Sequence, residues 1–158
     1  MKIKEPFKLI AAIAICQLAG IVGSLFTISQ IPSWYAGLLK PSFNPPNWLF
    51  GPVWLTLYTL MGISLYLVWL KGFRTKQAKA ALYLFITQLV LNSLWSIIFF
   101  GWHMTGYALV EIVLLWLAIL AVIIRFYKIS KPAAYLLVPY ILWVSFAMFL
   151  NLNIFLLN

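Results

Sequence analysis

Five long apolar runs dominate this chain: residues 9–26, 48–70, 80–100, 107–124 and 133–157. Together they hold a single ionised side chain, Glu111. At a helical rise of about 1.5 Å per residue, each run with its flanks can cross a hydrocarbon core of about 30 Å. Stretches such as Ile112-Val113-Leu114-Leu115-Trp116-Leu117-Ala118 are apolar on every face, which excludes the alternation of a transmembrane β-barrel. The composition agrees: 65% of the 158 residues are hydrophobic and 8% are charged, too few charges to solvate a globule. The reading is an all-α integral membrane bundle of five transmembrane helices, with residues 1–158 forming one domain. Gln17, Gly20 and Gly23 lead into no small-x-small cleavage site, so the first run is read as a retained helix and not a signal peptide.

The net charge of +9 is a topology signal. Lys2, Lys4 and Lys8 precede the first run, Lys71, Arg74, Lys76 and Lys79 surround the second connection, and Arg125, Lys128 and Lys131 surround the fourth. Alternating spans put these ten on one side of the membrane and leave Lys40 and His103 on the other. The positive-inside rule then places the N-terminus in the cytoplasm and the C-terminus outside, with a bacterial cell membrane the expected location. Anionic headgroups are the expected partners of the lysines. No basic groove interleaved with aromatics points to nucleic acid.

Short second, third and fourth connections make neighbouring helices antiparallel. Gly101 to Gly106 is read as a tight turn bracketed by glycines. The first connection, residues 29–47, carries Pro32, Pro41, Pro45 and Pro46 with Trp34, Tyr35 and Phe43. A backbone that stiff, bearing large amphipathic rings, should fold back over the outer mouth of the bundle.

Gln88, Asn92, Trp95 and Phe99 fall on one stripe of the third span, which must face the interior because amides facing lipid are costly. Gln88 and Asn92 then either glue helices together or furnish an aromatic pocket with polar fixtures. Trp143, Ala147, Leu150 and Asn151 form a similar stripe in the fifth span, and Trp54 and Tyr58 lie one turn apart in the second. Trp34, Trp48, Trp69 and Trp102 suit an interfacial belt, whereas Trp54 lies about 10 Å deep and Trp143 nearer the midplane. Pro139 is expected to open the fifth helix just before Trp143. A flat aromatic ligand could be sandwiched there.

Glu111 is read as a carboxylate that reaches the headgroups or makes a structural hydrogen bond, with a functional role as the alternative. No second carboxylate and no Ser/His/Asp set accompanies it, so conventional hydrolysis is not expected. Cys16 is the only cysteine, which precludes an intrachain disulfide and any Cys-based metal cluster. Ala12, Cys16, Ala19, Gly20 and Gly23 permit close helix approach, within the bundle or across a homodimer.

These motifs resemble the TspO/MBR family of tryptophan-rich sensory proteins, translocator proteins and peripheral benzodiazepine receptors. The matching stretches are Trp34 to Trp48, Pro52 to Tyr58, Gln88 to Asn92 with Trp95, Phe99-Phe100-Gly101, Pro139-Tyr140 with Trp143, Phe146-Ala147, and Leu150-Asn151. The resemblance implies a five-helix, commonly dimeric membrane protein that binds porphyrin or another flat hydrophobic molecule; the residues themselves offer no cofactor site and no metal cluster, so neither is expected. It implies a pocket under the first connection lined by Phe50, Trp54, Asn92, Trp95, Trp143, Ala147 and Leu150. Trp34 and Phe99 complete the candidate ligand-binding set. It further implies a role in transport, sensing or stress response. The alternatives are a light- and oxygen-dependent porphyrin degradation with Trp54 and Trp143 as catalytic residues, and a membrane regulatory scaffold. The cholesterol-recognition pattern of animal members ends on a tyrosine and a basic residue. The last nine residues here contain neither, so sterol binding by that pattern is not expected.

Overall fold

The computed structural model describes residues 5–158. Lys2 and Lys4, part of the charge asymmetry, lie outside the described residues. The elements are α1 (Pro6–Thr27), α2 (Trp34–Gly37), α3 (Asn47–Trp69), α4 (Lys76–Ser96) running into a π-helical turn (Ile97–Gly101), α5 (Thr105–Ile129), α6 (Lys131–Tyr135) and α7 (Val138–Leu157). Among the described residues five segments are long and apolar enough to cross a membrane: α1, α3, α4 with its π turn, α5, and α6 with α7. Their outward faces carry Leu18, Leu25, Leu55, Val90, Leu114, Leu142 and Phe149, all exposed. An apolar exterior on every span is what a bilayer requires and what water would penalise.

Helix α1 packs on α3 and α4, and α5 packs on α4 and α7, while α3 and α7 meet sparingly. Close packing joins α1 to α3 from Ile13 up to Gly20. An alanine Cβ at Gly62 would lie 2.5 Å from Ile13 Cα, and one at Gly20 would collide with the Tyr58 ring. Ala12, Cys16 and Gly23 are buried on the same side of α1, so the small residues of this helix are used inside the bundle. Polar side chains tie helix to helix: Ser93 Oγ donates to Ala19 O (2.9 Å), Ser64 Oγ to Ala133 O (2.7 Å) and Trp116 Nε1 to Ser145 Oγ (2.8 Å). In a low-dielectric slab such bonds have no water competing for them.

Three local expectations are corrected. Pro139 does not open a helix before Trp143. It sits in the first turn of α7, where a missing N–H costs nothing, and the chain breaks earlier, between α6 and α7. Gly106 does not bracket a turn: it lies inside α5, where an added Cβ would come within 2.9 Å of the Phe155 ring. The turn itself is shorter, because the π turn carries α4 on to Gly101, with Trp102 N–H donating to Ile97 O (2.9 Å). One extra residue in that turn buries Ile98, Phe99 and Phe100 in succession, which a regular helical stripe cannot do.

Candidate functional site: an aromatic cavity under the first connection

Where α3 and α7 part, a cavity of about 500 Å³ opens between α1, α3, α4 and α7. Its walls come from residues the sequence singled out: Phe50, Trp54, Asn92, Trp95, Phe99, Trp143, Ala147 and Leu150 all line it. Trp34 does not. Its ring lies behind Phe99 (centroids 5.6 Å) and stacks on His103 (4.2 Å), so it buttresses the wall from the loop side. Trp95 stacks on Phe99 (4.9 Å), Phe50 meets Trp143 edge-on (6.1 Å), and Trp54 lies against Tyr58 (5.4 Å) and Tyr140 (6.3 Å). Each ring is held by other rings in offset or edge geometry, the arrangement their quadrupoles favour.

At the cavity floor a hydrogen-bonded chain joins three helices. Tyr58 OH donates to Asn92 Oδ1, Asn92 Nδ2 donates to Tyr140 OH (2.9 Å), and Tyr140 OH donates to Gln88 Oε1 (2.9 Å). Gln88 therefore works as glue and does not reach the cavity, whereas Asn92 does both. Near the top, Asn151 accepts from Trp95 Nε1 (3.2 Å) and donates to Thr105 O (2.9 Å), which fixes the Trp95 ring. The Trp143 indole N–H is buried without a partner among the described residues.

Glu111 neither reaches the headgroups nor makes a structural hydrogen bond. It is 5% exposed, and both carboxyl oxygens are buried without a partner among the described residues. It does not line the cavity, so every group that does is uncharged. Among the described residues no cluster of His, Cys, Asp and Glu could hold a metal ion.

The first connection covers the cavity, as its prolines and rings predict. Tyr35 points inward and lines the cavity. Burial pushes its phenol up to about 12, opposed by the hydrogen bond to Asn44 Oδ1 (2.8 Å), so it remains a protonated donor. Lys40 Nζ donates to Tyr35 O (2.7 Å), Leu38 O (2.8 Å) and Ala36 O (3.2 Å), placing a positive charge at the C-terminal end of α2. Asn158 clasps Leu39, accepting from its N–H (3.0 Å) and donating to its carbonyl (3.0 Å).

Sequence reasoning missed the α1 wall: Gln17, Gly20, Ile21, Ser24 and Thr27. The lone amide Gln17 in an apolar run was the available signal. Its Nε2 donates to Leu55 O and Thr59 Oγ1, both 3.1 Å away, just below the cavity opening.

The fold and the site together define a class: five-helix integral membrane bundles with an uncharged, tryptophan-lined cavity under a proline-rich loop. Comparison with known proteins sharpens this. The TspO/MBR family profile matches residues 12–157. The chain is 48% identical to the tryptophan-rich protein TspO of Archaeoglobus fulgidus over 96% of this chain and 97% of that relative. It is 47% identical to the human translocator protein over 85% of this chain and 80% of that protein. It is 33% identical to the tryptophan-rich sensory protein of Cereibacter sphaeroides, covering 92% and 88%. The chain belongs to the TspO/MBR family.

Proposed function

We propose that the protein binds a flat, largely apolar tetrapyrrole of the porphyrin kind in this cavity, and that binding serves transport, sensing or a stress response. The observation that carries this reading is the lining itself. Trp54, Trp95, Trp143, Phe50 and Phe99 surround about 500 Å³ with no charged group among them. Such a site rewards a rigid π-surface and offers a few dipoles for orientation. The test is titration of the purified protein with protoporphyrin IX in the dark. Saturable quenching of tryptophan fluorescence at one ligand per chain is expected, and quenching that merely follows detergent partitioning would remove the reading.

A second reading, degradation of the macrocycle by dioxygen under light, is favoured by one feature. Trp54, Tyr58 and Tyr140 form a contiguous run of oxidisable rings from the cavity wall to the buried floor. Phenylalanine keeps the stacking surface of indole and largely loses its redox role, so Trp54→Phe and Trp143→Phe should keep most affinity on either reading. A defined illuminated product made by the wild type and lost in both variants would move the protein to the enzymes. Binding remains the preferred role, because the sole carboxyl in the spans stands away from the lining. A homodimer or a membrane partner is compatible with either role.

The proposed orientation puts the basic connections between α3 and α4 and between α5 and α6 in the cytoplasm, and the cavity under the opposite face. A reporter fused after Asn158 should then read extracytoplasmic and one inserted at Thr75 cytoplasmic. The reverse labelling would invert the assignment.

A further inference from the structure

The α1 and α3 helices are joined from Ile13 and Gly62 up to Gly20 and Tyr58, past the middle of both helices. Gly62 abuts the Ile13 backbone, Gly20 abuts the Tyr58 ring, and Gln17 bridges to Leu55 O and Thr59. At the top of that seam and above it several cavity-lining residues are also exposed on the outer surface: Leu55 (61%), whose carbonyl closes the seam, then Ile21 (54%) and Trp48 (71%), with Gly51 between Leu55 and Trp48. A side chain that both lines a cavity and faces outward stands at an opening. Ile21, Gly51 and Leu55 lie within membrane-spanning segments, so this opening faces hydrocarbon.

The loop side is the opposite case. Lys40 binds three carbonyls of its own loop, Asn158 clasps Leu39, and the Trp34 ring stacks on His103, whose Nε2 pairs with Gln30 Oε1 (3.0 Å). Opening that route breaks several contacts at once, whereas among the described residues no hydrogen bond crosses between α1 and α3 above the one from Gln17 to Leu55 O.

We propose that the cavity is loaded from the bilayer, through the slot between the outer ends of α1 and α3, by a lipid-dissolved flat molecule whose uncharged body enters. Any ionised substituent stays at the slot mouth, since no charged group lines the cavity to receive it. The inference rests on the tetrapyrrole reading above and adds the route and the charge state of what enters.

The test uses full-length Cys16→Ala protein in phosphatidylcholine vesicles, mixed with vesicles carrying protoporphyrin IX dimethyl ester, an uncharged probe. Tryptophan quenching reports arrival. Two cysteine pairs are linked by a reducible bifunctional thiol reagent: Ile21→Cys with Gly51→Cys across the slot, and Leu39→Cys with Asn158→Cys across the loop. Linking the slot should slow quenching by about tenfold or more and linking the loop by less than about twofold, as expected when one gate controls exchange. Reduction should restore the rate, and protein loaded before linking should keep its quench, which shows that the site survives. Slowing by the loop link, by both links or by neither overturns the route while leaving equilibrium binding intact. Absence of quenching in the unlinked protein at equilibrium overturns both the route and the tetrapyrrole reading.

Discussion

Alanine at position 62 is expected to lower the stability of the bundle by about 3 kcal/mol, the upper part of the range for inserting one carbon into a closed packing site. The new Cβ would lie 2.5 Å from Ile13 Cα and 2.9 Å from Ile13 N. Those are backbone atoms of a regular helix, so no side chain can swing aside and α1 must move as a body. Because α1 also supplies one wall of the cavity, the displacement should be felt at Gln17 and Gly20, one and two turns above Ile13. The comparison is Gly51→Ala in the same helix, where an added Cβ meets nothing within 4 Å. There the better helix propensity of alanine should give a neutral or slightly stabilising effect, up to about 1 kcal/mol. Reversible denaturation in mixed micelles measures both. Equal effects at positions 62 and 51 would mean that the α1–α3 seam is not a fixed contact.

That seam shows where sequence and structure part company. The five spans were legible because a hydrocarbon slab forces apolar runs of a set length, and α1 and α3 match the first two runs within a few residues. The inward stripe of α4 was legible because amides cannot face lipid. Gly62 was not, since its meaning depends on which residue of another helix comes opposite. The same holds for the α1 wall of the cavity, where Ile21, Ser24 and Thr27 look like any other residues of an apolar helix until α3 lies beside them.

Periodicity also failed where the backbone departed from the regular helix. The π turn at Ile97–Gly101 shifts the register by one residue and brings Phe100 inward beside Phe99, with ring centroids 4.8 Å apart. Glu111 failed for another reason. Counting from the helix end placed it near the interface, but its face of α5, with Ala108, Ile112 and Leu115, points at α4 and α7. Distance along a helix gives depth and says nothing of which way a short side chain points.

The second large effect is expected from Asn92→Leu. This substitution keeps the branched heavy-atom outline of the side chain and deletes both hydrogen bonds that Asn92 makes, to Tyr58 OH and to Tyr140 OH. Averaged interhelical hydrogen bonds in membrane proteins contribute only about 0.6 kcal/mol each, because the separated helices find other partners. Here the donor left behind costs more than the bonds themselves. The Tyr58 hydroxyl is buried and loses its acceptor, a loss that costs about 1–3 kcal/mol. Together these give about 2–4 kcal/mol of lost stability in the unliganded protein. Affinity for the proposed porphyrin should fall by less than about tenfold, since both the oxygen and the nitrogen of this amide are already engaged by the protein. Tyr58→Phe removes the stranded hydroxyl itself. If the penalty lies in that orphan, the double variant Tyr58→Phe with Asn92→Leu should be no less stable than Asn92→Leu alone, a strong departure from additivity. Additive losses in that cycle, or an affinity loss in Asn92→Leu that exceeds the stability loss, would make Asn92 a ligand contact first and a structural joint second.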